Sequence, residues 1–116
     1  MNEKELIEYP VILVKEKIGC LAIIPDIDGR VQGIEKEDTL RTAAEYIGEE
    51  IIEHGILPVP DIVRLVDFEE ESRGKIHFVE IDFAKYRRIY LKKKIRQASN
   101  YIMEKNKEVY RRLSEK

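Results

Sequence analysis

At 116 residues the chain is close to the commonest length of one compact domain, which excludes two full cores. With 43% apolar and 38% charged residues and four prolines, it has neither a disordered composition nor any run near the roughly 20 apolar residues that a bilayer crossing requires. The formal net charge of −2 hides a division after Phe83: residues 1–83 carry 9 Lys and Arg against 20 Asp and Glu, a net of −11, whereas residues 84–116 carry 12 against 3, a net of +9. Such a split points to two surfaces with different partners, or to an acidic body that docks a basic tail.

The opening Met1-Asn2-Glu3-Lys4-Glu5 is too charged for a signal peptide, so a soluble, cytoplasmic protein with no membrane partner is expected. Tyr9 to Val14 and Gly19 to Ile24 are Val- and Ile-rich runs separated by polar residues, the pattern of a two-stranded hairpin. Cys20, the single cysteine, cannot form an internal disulfide, and beside Leu21 and Ala22 it is expected to be a small buried residue. Pro25-Asp26-Ile27-Asp28-Gly29 is rich in turn residues, and a third short strand around Val31 ends at Gly33. Leu40, Ala43, Ala44, Ile47, Ile51 and Ile52 then follow one helical face, with Asp38 placed to cap the start and Gly55 to end it. Pro58 and Pro60 prevent the helix from continuing, and the stretch that runs on to Glu69-Glu70-Glu71 is expected to be a connector. Between Lys75 and Phe83, alternation sets His77, Val79, Ile81 and Phe83 on one side and Glu80 and Asp82 on the solvent side of a fourth strand.

The fold class expected is therefore α+β, a small β-β-β-α-β sheet with one covering helix, in an acidic module of residues 1–83. Residues 84–116 form a basic segment in which Leu91, Ile95, Ala98, Ile102, Val109 and Leu113 recur at spacings that fit one long amphipathic helix. Its apolar stripe is narrow and interrupted by Lys105, so it calls for a partner surface, either the sheet or a second copy of the chain, and a homo-oligomer is expected.

Tyr9-Pro10-Val11 entering a strand, then Ile24-Pro25-Asp26-Ile27-Asp28-Gly29, a short strand to Gly33 and a helix opening at Asp38-Thr39-Leu40 together resemble HicB antitoxins. The resemblance extends over most of residues 7–90: Gly55 with Pro58 and Pro60 looks like the family's helix exit, and Val79-Glu80-Ile81-Asp82 with Tyr86-Arg87 like its last strand and the turn beyond. The motif residues are Pro25, Asp26, Gly29 and Gly33. What the resemblance implies is a partial RNase H-like fold that occludes a small ribonuclease toxin of the HicA type, with no catalysis and no cofactor of its own. It also implies repression through operator DNA in members that carry a ribbon-helix-helix or helix-turn-helix domain. This chain differs from the family pattern in the four residues Ile34 to Glu37, which lengthen a loop, and in a C-terminal segment too short for a strand and two helices. Charge agrees with the implied partner, because an acidic module competes with phosphate for the Lys and Arg side chains of a basic RNA-binding protein.

Two other chemistries compete with this reading. An RNase H-like sheet with carboxylates at strand ends, here Asp26, Asp28, Glu80 and Asp82, could hold metal ions for phosphodiester cleavage, which makes a metal-dependent nuclease the alternative function. Aspartates in a Pro/Gly turn, however, more often bond backbone amides. Glu50, Glu53 and His54 share adjacent helical positions but read as a solvated face, so no metal ligands are assigned. The cluster Lys92-Lys93-Lys94-Ile95-Arg96 is the candidate for nucleic-acid contact, and its charge fits self-assembly against the acidic body equally well.

Overall fold

The computed structural model describes residues 4–114, and the side chains among them as far as residue 107. Met1, Asn2 and Glu3, and the side chains of Val109 and Leu113, lie outside what is described. The elements run β1 (Leu6–Lys15), β2 (Cys20–Ile24), a single 3-10 turn (Pro25–Ile27), β3 (Gly29–Gly33), α1 (Lys36–His54), α2 (Ile62–Ser72), β4 (Lys75–Asp82) and α3 (Phe83–Ser114). The four strands form one sheet in the order β3-β2-β1-β4, antiparallel throughout. The fold is α+β as expected, but two helices, α1 and α2, cover the sheet where one was expected. No helix among the described residues is long and apolar enough to cross a membrane.

β1 organises the sheet because it is apolar on both faces. Tyr9 and Val11 join Ala22, Ile24, Val79 and Ile81 under Ala43, Ile47 and Ile51 of α1. On the opposite face Ile12 and Ile23 pack with Leu65 of α2, and Phe68, Val14, Leu21 and Ile76 surround them. The stretch expected to be a connector is thus in part a helix. Asp61 caps it, its carboxylate accepting the Arg64 N–H at 3.2 Å, and Leu65 and Phe68 supply the apolar cover that a sheet buried on both sides requires.

The second helix also sets the direction of β4. β3 lies parallel to β1 because each is antiparallel to β2, and a single helix after β3 would return the chain to begin another strand parallel to them. α2 carries the chain back along the second face, so β4 enters from the other end, with Leu6 opposite Asp82 and Leu13 opposite Lys75.

Two local expectations need correction. α1 begins at Lys36 with Glu35 as its cap residue, so Asp38 is a first-turn residue and not the cap. The cause is Thr39, fully buried beside Gly33, whose hydroxyl and N–H both donate to the Glu35 carbonyl, at 2.8 and 3.0 Å. Asp38 still complements the positive end of the helix and pairs with Arg41 at 3.5 Å. Cys20, at the first position of β2, is half-buried and not enclosed by the core. Gly55 ends α1 as expected, with φ of 79° and its N–H on the Ile51 carbonyl at 2.7 Å.

α3 is continuous over 32 residues and roots on α1. The rings of Tyr86 and Tyr90 fill the space that side chains at Gly48 and Gly55 would take. From Leu91 to residue 107 every side chain is exposed. A helix of this length spans about 48 Å, and the molecule measures 73 × 30 × 28 Å. The arm stands off the body. Gly48→Ala is expected to lower the thermal midpoint even though alanine is the better helix former by about 1 kcal/mol, because its methyl would displace the Tyr86 ring. Gly48→Ala with Tyr86→Ala should cost less than the sum of the single changes; additive losses by circular dichroism melting would show that the two residues do not share this contact.

Candidate binding surfaces

The motif residues Pro25, Asp26, Gly29 and Gly33 all lie where elements are tied together. Pro25 is buried at the start of the 3-10 turn. Asp26 reaches across 35 positions to Asp61, its Oδ1 accepting that residue's N–H at 3.0 Å. Asp28 adopts the left-handed conformation, φ 51°, and its carboxylate sits 3.3 Å from the Arg64 guanidinium in an exposed pair of little strength. Gly29 and Gly33 admit the Tyr46 ring and Thr39 at distances no side chain would allow. The turn therefore fastens the β2–β3 corner to the start of α2 and seats both ends of β3 against α1.

The carboxylates considered for metal chemistry are dispersed in role. Asp26 is engaged with the Asp61 amide, and Glu80 is exposed on β4. Asp82 is half-buried, a correction to its expected solvent position: its Oδ1 accepts the N–H of Lys85 at 3.3 Å, capping α3, and that of Glu5 at 3.4 Å. Glu50 approaches His54 at 3.4 Å along α1. Among the described residues no three His, Cys, Asp or Glu side chains converge as metal ligands do.

Tyr9 lies under the end of α1, 3% exposed, and its hydroxyl donates to the Pro58 carbonyl at 2.7 Å. Burial, followed by the negative charges of Asp26 and Glu50, pushes its pKa up to about 12. The folded state thus favours the neutral phenol, a contribution to stability that is present below the ordinary value of 10 and is lost as pH rises from there to about 12. For His77 the shift is downward, caused by burial and then by Lys36 and Lys75, so its contribution is present above the ordinary 6.5 and lost as pH falls. An absorbance titration of the folded protein should show one tyrosine ionising near pH 12 that disappears in Tyr9→Phe; an unchanged titration in that variant would assign the late ionisation elsewhere.

Lys92, Lys93, Lys94 and Arg96 are all exposed on the free part of α3. Lys92, Lys93 and Arg96 border a shallow depression with Ile89, Gln97 and Asn100, while the Lys94 ammonium lies 5.8 Å from the Tyr90 ring centre. The four are brought together by helix geometry alone.

One surface escaped the sequence reasoning. α2 covers the second face of the sheet above Ile12 and Ile23 but leaves open the far halves of β1 and β4, where Leu6 and Phe78 are 53% and 63% exposed. Between them Glu8 and Glu80 are direct cross-strand partners, both exposed. Like charges directly opposite destabilise a strand pair. The alternation of Phe78 and Glu80 against Val79 and Ile81 was the available signal, but only the strand register joins Glu8 to Glu80. Around the sheet's corner, where among the described residues β4 is the sole strand partner of residues 6–10 of β1, an apolar groove continues between β1 and residues 56–60, with Val59 and Ile56 exposed. No family model matches this chain, and no curated protein or solved structure matches it.

Proposed function

We propose that this protein is a binding module that captures a small basic protein, as the resemblance to HicB antitoxins implies, and that it does so without catalysing a reaction. The observation that carries the reading is the open strip of sheet at Leu6, Glu8, Phe78 and Glu80. Exposed Phe and Leu side chains offer the apolar centre of an interface. The unfavourable Glu8–Glu80 pair is relieved when a cation enters between the two carboxylates. A body of net −11 adds long-range attraction for a basic partner. The partner of this description is a HicA-type ribonuclease, whose phosphate-binding Lys and Arg side chains would be masked by the acidic strip. A cytoplasmic setting and a partial RNase H-like ancestry belong to the same proposal.

The reading makes an unusual demand on one substitution. Glu80→Lys turns a repulsive cross-strand pair into an attractive one, so it should stabilise the fold by about 0.5 kcal/mol while weakening capture. The test is co-expression with the small basic protein of the adjacent reading frame, scored by rescue of growth, together with the affinity of the purified pair. Glu80→Lys and Phe78→Ala should each lower the affinity at least about tenfold, a change of about 1.4 kcal/mol, with the melting midpoint kept or raised in the first. Unchanged affinity, no small basic protein beside the gene, or magnesium- or manganese-dependent cleavage of RNA by this chain that is lost in Asp26→Asn would overturn it.

A further inference from the structure

The free part of α3 carries a seam with nothing on it. Leu91, Ile95, Ala98, Ile102 and Lys105 follow at alternating steps of four and three, the spacing that keeps one line of a helix against a neighbouring helix. The five side chains are exposed, including Ile95 at 69% and Ile102 at 56%. A lone helix projecting into water with a basic surface has little besides its own backbone bonds to hold it. The seam is too narrow and too far from the sheet to be covered by its own body.

We propose that α3 pairs antiparallel with α3 of a second copy, centred between Ala98 and Ile102. Charge and shape select both the occupant and its direction. A parallel pair would set Lys105 against Lys105 inside the seam, oppose Arg87 to Lys92 at its flank, and bring two bodies of net −11 side by side. The antiparallel pair sets the bodies at opposite ends of a shared rod. Ala98 then faces Ile102 of the other copy, small against large, and Lys105 faces Ile95, over which its methylenes can lie while the ammonium stays in water. The pairing is independent of what the acidic body captures.

The experiment uses the full chain. Light scattering across a concentration series should show a dimer that dissociates on dilution, and Ile95→Asp with Ile102→Asp should give a monomer whose body still melts cooperatively. Direction is read by crosslinking in a Cys20→Ser background. Antiparallel pairing places residue 95 of one copy beside residue 105 of the other and holds the two residues 95 about 15 Å apart along the rod. A mixture of Ile95→Cys and Lys105→Cys proteins should therefore form a disulfide-linked heterodimer, while neither protein alone does so. A monomeric mass at every concentration, or a dimer that persists in the double aspartate variant, would overturn the pairing. Ile95→Cys crosslinking to itself would overturn its direction.

Discussion

Strand β1 cannot meet water on either side over Tyr9 to Ile12, and the rest of the architecture answers that constraint. A strand with one apolar face needs one covering helix; a strand apolar on both needs two, or a helix and a partner. Ile47 and Ile51 of α1 close one face and Leu65 of α2 the other. Because α2 is short, at 11 residues, its cover ends before the sheet does. The uncovered corner at Leu6 and Phe78 is a direct consequence of that shortfall.

The same constraint explains what could be read from the sequence. Runs such as Tyr9 to Val14 are continuous and not alternating, which in retrospect signals burial on both faces. The hairpin, the third strand, α1 with its Gly55 terminus, β4 and the long C-terminal helix were all legible, because each carries its own period and its own punctuation. α2 was missed although Asp61, Leu65 and Phe68 supply a cap and an inward face. Ile62, Val63 and Val66 add apolar residues on the outward face and blur the period, and the prolines before it argued for extended chain. Asp38 misled for a different reason. Capping depends on backbone geometry, and the contact of Gly33 with Thr39 draws the helix start three residues earlier than side-chain preference places it.

The candidate sites divide along the same line. The Pro25, Asp26, Gly29 and Gly33 positions could be found as a motif, but their work is tertiary: the bond from the Asp61 amide to Asp26 joins residues 35 apart, which no local pattern encodes. The basic cluster on α3 was legible in full because a helix places neighbours in sequence on one surface. Glu8 and Glu80 were invisible as a pair, since 72 positions separate them and only the register of β1 on β4 makes them neighbours.

Where α3 leaves the body follows from two glycines. Gly48 and Gly55 lie seven positions apart on α1, two turns of one face, and the rings of Tyr86 and Tyr90, one turn apart on α3, occupy the hollows that these glycines leave. Tyr86 is also packed against the main core cluster, so the root of the arm is fixed by the most buried part of the molecule. Both rings are held from the body's side, which leaves the Leu91–Ile95–Ala98 line of the helix with no part in anchoring it. Separating the anchor from the seam in this way lets the arm project at a defined angle while keeping its apolar line available. It also sets the basic residues of the arm away from the acidic strip on the opposite side of the sheet, so that the two charge populations of the chain, nearly equal in sum, do not neutralise each other at either surface.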